Sequence, residues 1–278
     1  MGRRDQSGKY LKKKSMWAAA VLAVLLCLSA LVIVGMLWHR AAKQQDFREL
    51  AEQVREYTEE PSETTTEPVP STGEAESRET VPEPQPEILP QYRELYAENP
   101  DFFGWITIPD TKIDYPVMRT PEDPEKYLHM DFYGAYSYAG TLFADAKCGD
   151  DSDNLLIYGH NMKDGSMFRS LMKYEQKNYW KEHPTIVFNT LYEEGEYEVL
   201  AAFYDRVYYK AEDCFKFYKF INAANEAEFD DAVAYFQSKA LYDTGVTASY
   251  GDRLITLVTC SYHTENGRFV VVARKQQT

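Results

Sequence analysis

Cysteine is scarce in this chain, and its spacing is poorer still. The four cysteines stand at positions 27, 148, 214 and 260, with no Cys-x-x-Cys pair and no cysteine–histidine spacing of the zinc-site kind. That excludes a structural zinc site of the usual pattern, and neither a metal nor a cofactor is expected. Cys27 falls in an apolar run, which leaves an odd number for the rest of the chain. At least one of Cys148, Cys214 and Cys260 therefore has no intrachain partner. A Cys148–Cys214 bridge stays open on spacing, with free thiols the simpler expectation. Basic charge is also short where a fold would be: residues 91–278 carry 19 Lys or Arg against 30 Asp or Glu. An acidic domain argues against a nucleic-acid partner, since phosphates need a basic face. Residues 58–90 lack almost every large apolar side chain while holding nine Glu and seven of the 13 prolines. Such a stretch buries too little surface to fold and should behave as an acidic, self-repelling linker.

Charge is absent again from Met16 to Trp38, and here the composition is apolar throughout. At about 1.5 Å per residue in a helix, 23 residues exceed a hydrocarbon core of roughly 30 Å. Six basic residues precede it, so residues 1–15 read as a cytoplasmic tail and 16–38 as a transmembrane signal anchor. A cleaved signal peptide is the rival reading, but the apolar stretch is too long and no Ala-x-Ala site follows. Residues 39–57 read as a juxtamembrane helix, with Phe47, Leu50, Ala51, Val54 and Tyr57 at helical spacing. The domain carrying the chemistry is then 91–278, outside the cell.

Within that domain, short apolar runs predict strands near 103–109, 113–117, 140–143, 154–159, 185–189, 195–208, 254–260 and 269–273. Helices are expected near 91–99, 166–174 and 223–241. No strand–helix–strand repeat appears, so a mostly β closed or nearly closed barrel with a few peripheral helices fits best. The last two strands frame the chemistry. One ends on Cys260, and the next begins just after Arg268. A thiolate is a strong nucleophile, and a guanidinium is a permanent cation suited to an oxyanion. A proton carrier is still needed among five histidines. His39 lies at the expected membrane edge, His183 precedes a proline in a polar loop, and His129 has no flanking strand pattern. His160, at the end of Leu155–Gly159, is the first candidate. His263, three residues past Cys260, is the second. Taken singly, Cys260 would read as a buried strand thiol and Arg268 as a sheet-edge charge.

Thr256-Leu-Val-Thr-Cys260 with Arg268 resembles the TLxTC…R signature of the sortases, cysteine transpeptidases of Gram-positive surfaces. Tyr158-Gly-His-Asn-Met162 resembles their His motif in its class B form. Gly104-Trp-Ile-Thr-Ile108, Ile113-Asp-Tyr-Pro-Val117 and the insertion around 223–241 are similar to class B as well. The resemblance covers residues 91–275 and implies a closed sortase-type barrel of about eight strands. It implies Cys260 as nucleophile, His160 as general acid/base and Arg268 as oxyanion and substrate stabiliser. Thr259, Tyr158, Asn161 and Ser261 are the neighbouring candidates for substrate contact. The implied reaction cleaves a Pro-containing surface-protein sorting signal after Thr and holds the acyl group as a thioester. Transfer then goes to an amine, either of the peptidoglycan cross-bridge or of a pilin lysine. One departure stands out: Val258 occupies the position two before Cys260 where class B members commonly carry Ser. Two other readings are a cysteine L,D-transpeptidase, whose Ser-x-Gly-Cys motif is missing, and a non-enzymatic tethered adhesin or sensor.

Overall fold

A computed structural model describes residues 5–59 and 86–277. Most of the expected acidic linker 58–90, and the start of the basic tail, lie outside the described residues. The chain divides into two compact units between Arg48 and Glu49. The first unit contains most of helix α1 (Asp5–Glu59), whose apolar side chains from Val21 to Trp38 are exposed. By length and composition α1 can cross a membrane. Two helical segments, 16–38 and 39–57, are expected from composition, and they run on as one. No glycine or proline interrupts residues 36–59, so no breaker divides them.

In the second unit, the last turns of α1 belong with the sheet. Tyr57 donates to Glu94 at 2.7 Å, and Arg55 pairs with Asp114. A 3-10 turn at Pro90–Tyr92 leads into α2 (Arg93–Glu98). The strands are β1 (Phe102–Thr107), β2 (Asp114–Met118), β3 (Leu142–Ala144), β4 (Asn154–Tyr158), β5 (Thr185–Thr190), β6 (Glu196–Arg206), β7 (Leu254–Cys260) and β8 (Gly267–Lys275). They close into a barrel in the order β1-β2-β3-β4-β7-β8-β6-β5. All neighbours are antiparallel except β2–β3 and β4–β7, which are parallel.

The apolar runs of β7 and β8 show no alternation because both of their faces are covered. On the outer face, Leu254, Val258, Val270, Val272 and Phe203 pack against Phe217, Phe220, Phe229 and Phe236. Phe229 and Phe236 come from α4 (Glu226–Lys239), inside the long β6–β7 insertion. Burying each such ring contributes roughly 1.5–3 kcal/mol. Asn225 caps α4 by accepting from the Glu228 N–H at 3.1 Å, and the Glu228 carboxylate reaches back to the Ala224 N–H at 2.9 Å.

The helix expected at 166–174 is a 3-10 helix over Phe168–Glu175. Its buried Phe168, Leu171 and Tyr174 recur every third residue, the period at which 3-10 side chains align. A short α3 (Lys177–Glu182), not foreseen from composition, follows it.

Candidate active site

The site is built by register. Cys260 at the end of β7 pairs with Arg268 on β8, and Arg268 pairs in turn with Asp205 on β6. On the other side, Tyr158 of β4 pairs with Val258. Directly paired residues project from the same face, and successive residues alternate. His160, two residues past Tyr158, therefore comes level with Cys260. The result is one row: Cys260, Arg268 and Asp205 on β7, β8 and β6, with His160 just past the end of β4 beside Cys260.

Hydrogen bonds carry the β4–β7 pairing beyond the end of β4. The Gly159 N–H donates to the Val258 carbonyl at 3.1 Å, and the Thr259 hydroxyl donates to the Gly159 carbonyl at 2.8 Å. The Asn161 amide donates to the Cys260 carbonyl at 2.8 Å and is itself oriented by Arg169 at 3.0 Å. Gly159 must be glycine here, because a Cβ would sit 2.7 Å from the Phe168 ring. These contacts hold the backbone on both sides of His160.

His160 presents Nε2 to the Leu128 carbonyl at 2.9 Å. A carbonyl can only accept, so Nε2 carries the proton, and Nδ1 is the nitrogen left to exchange one. The ring stacks on His129 at 5.5 Å, and His129 is flanked by Tyr136 and Tyr138. Arg268 donates through Nη1 to the carbonyls of Gly267 (3.0 Å) and Asn266 (3.2 Å).

His160, Cys260 and Arg268 line one cleft of about 360 Å³. Tyr158, Val258 and Thr259 form its floor with them, while Leu128, Phe143, Val207, Phe217 and Tyr218 supply apolar walls. Glu125 and Asp145 also line it, and the Tyr158 hydroxyl donates to Asp145 at 3.4 Å. Burial, reinforced by the Asp145 charge, pushes the Tyr158 phenol well above its ordinary range, so it stays a neutral donor. Val258 is 2% exposed and presents only methyl groups where a serine would present a hydroxyl.

The remaining predicted residues lie elsewhere. Asn161 works on the backbone, as described, and is not in the cleft lining. Ser261 is buried, with its hydroxyl 3.0 Å from Nδ1 of His263. His263 packs on Tyr204 at 4.8 Å, and Tyr204 pairs with Phe269, one residue out of step with the Cys260 row. It therefore sits by the other face of the sheet, outside the cleft. His183 bonds the Pro109 carbonyl at 3.0 Å, and the side chain of His39 lies outside the described residues. The turn 261–267 contributes nothing to the cleft lining. Its walls come from 124–128, from the end of β3 and the turn after it at 143–146, and from 207–218, and the first and last of these are connecting segments with no local pattern to mark them.

Among the described residues no group of three or more His, Cys, Asp or Glu is placed to hold a metal ion. All four cysteines are free. Cys148 is fully buried, and burial pushes its thiol up to about 11, whereas Cys214 is exposed. Alkylation of the native protein near neutral pH should therefore label Cys214 and Cys260 but spare Cys148 until denaturant is added. Peptide mass mapping checks this.

A sortase domain matches residues 106–276. Sortase B of Listeria monocytogenes is 35% identical over 189 residues, spanning 66% of this chain and 74% of that protein. The crystal structure of sortase B from Bacillus anthracis in complex with AAEK1 superposes with a TM-score of 0.61. It is 30% identical and covers 69% of this chain and 86% of its own. A Staphylococcus aureus sortase B–substrate complex has a TM-score of 0.68 at 21% identity, covering 86% and 98%, and shares the fold. The domain match spans more than half of the chain and takes in all of β7 and β8, and with these relatives it makes the chain a member of the sortase family of cysteine transpeptidases, in class B.

Proposed function

We propose that Cys260, His160 and Arg268 carry out this transpeptidation on a sorting-signal peptide lying in the cleft. The observation that supports it most is the single row of thiol, imidazole and guanidinium across adjacent strands. The Cys260 thiolate attacks the carbonyl of the peptide's Thr, and the oxyanion is met by N–H groups of Arg268. The C–N bond then breaks as the departing amine takes a proton from His160, leaving a thioester. An acceptor amine next attacks the thioester, gives its proton to His160 and releases the thiolate. No ATP enters, because the thioester retains the energy of the broken amide.

The acceptor is an amine of the peptidoglycan cross-bridge or a pilin lysine. α1 holds the enzyme in the membrane through 16–38, with residues 1–15 in the cytoplasm and the catalytic domain outside. Residues 58–90 serve as an acidic linker and 91–278 as the catalytic domain.

The test is mass spectrometry of the protein incubated with a peptide library varied around a Pro-x-Thr core. A mass increase equal to the acyl fragment, on Cys260 and removed by an added amine, is the expected result. Absence of any such adduct across the library overturns the reading.

A further inference from the structure

β6 ends in a buried carboxylate that the transfer chemistry does not use. Asp205 is 5% exposed and stands beside Arg268 in the row that carries the thiol. Its Oδ1 accepts from the Tyr208 hydroxyl at 2.6 Å and from the Arg206 N–H at 2.8 Å. Its Oδ2 accepts from the Tyr235 hydroxyl at 2.6 Å. Tyr208 stands at the start of the β6–β7 insertion, and Tyr235 lies in α4 far along it. One carboxylate thus clasps two distant points of the insertion to the barrel.

The segment between them is wired to the same clasp. The Tyr218 hydroxyl accepts from the Tyr208 N–H at 3.1 Å and meets the Tyr208 carbonyl at 3.2 Å. The Arg206 guanidinium covers the Tyr208 ring at 4.4 Å and bonds Glu212 at 3.0 Å. The Tyr235 ring packs on Phe215 at 4.6 Å, and the Lys239 ammonium lies over the same ring at 5.4 Å. Val207, Phe217 and Tyr218, all in this segment, form one wall of the cleft.

We infer that Asp205 is a positioning residue: it holds the 207–218 wall against the cleft and so sets affinity for the peptide. A carboxylate suits the task, since it accepts from both phenols at once through charge-assisted bonds, which an amide oxygen matches only in part. Both of its oxygens accept from tyrosines, and Arg268 Nη1 donates to backbone carbonyls. Through these bonds Asp205 acts on the wall.

This inference rests on the peptide reading of the cleft, so its test has an arm that needs no peptide. Asp205→Asn and Tyr235→Phe would be made in the full-length, detergent-solubilised protein. Amide hydrogen exchange in 207–218 should quicken by about tenfold in Asp205→Asn, and less in Tyr235→Phe, while β7 and β8 keep their protection. KM for a cleaved peptide should rise by about tenfold with kcat within about twofold. Alkylation of Cys260 by a small reagent should keep its rate. Unchanged exchange in both variants overturns the clasp. So does a fall in kcat and in alkylation at constant KM, which would mark Asp205 as support for the row itself. If the wild type cleaves no peptide, the functional reading above has failed, and exchange alone decides the clasp. If Asp205→Asn does not fold, Tyr235→Phe carries the same comparison.

Discussion

Cys260→Ala is expected to abolish both thioester formation and transfer, a loss of at least about 10⁴-fold in kcat/KM. The size follows from what remains. Without the sulfur no covalent intermediate forms, and the guanidinium and imidazole are left beside a methyl group. Ala fits the end of β7 without disturbing it, because the strand's pairing there runs through backbone contacts with Arg268 and Gly159. The variant should therefore fold and still bind the signal peptide, which makes binding the control for the lost chemistry. Assay by chromatographic separation of the cleaved fragment checks it. Residual transfer above about 1% of wild type would mean that the thiol is not the nucleophile.

His160→Ala comes next in expected effect, with a loss of about 10²–10⁴-fold in kcat. The argument is sharpest against His263, which is nearer to Cys260 in sequence. His263 is held by Ser261 and Tyr204 and lies against Gly267, where a Cβ would come within 2.9 Å of its ring. It works as packing for the β7–β8 turn. His263→Ala should leave kcat within about threefold and cost at most about 1 kcal/mol of stability. Steady-state kinetics and thermal melts of the two variants side by side decide the matter. A large loss in His263→Ala with activity retained in His160→Ala would reverse the assignment.

The strands were largely legible because the barrel buries both faces of β7 and β8, which turns them into uninterrupted apolar runs such as Leu254–Val258. The thiol, the guanidinium and the preferred histidine could be named for the same reason, as each stands at or near the end of such a run. The parallel pairing of β4 with β7 was not legible. Nothing local records which distant strand a strand will meet, yet this pairing is what brings His160 level with Cys260. The cleft walls were hidden too, since Leu128, Val207 and Tyr218 lie in connecting segments whose places are set by tertiary contacts. The stretch at 166–174 forms a different kind of helix from the one its pattern suggests. Met167, Phe168, Leu171 and Met172 fit a 3.6-residue period, but burial selects Phe168, Leu171 and Tyr174 at three. Asp205 gave no signal, because one acidic residue at the end of a strand looks like a solvated edge.

The row of four residues also bears on how the chain comes to be active. Gly159 and Thr259, joined by a hydrogen bond, are 100 residues apart, and parallel strands that distant meet only after a long stretch of chain has been closed. Closure of that kind places a domain among the slower folders, on the order of milliseconds to seconds. Until it happens the thiol has no imidazole beside it and behaves as an ordinary cysteine. On the proposed chemistry, the site exists only once β4 and β7 have paired, so reactivity belongs to the closed barrel and not to its separate strands.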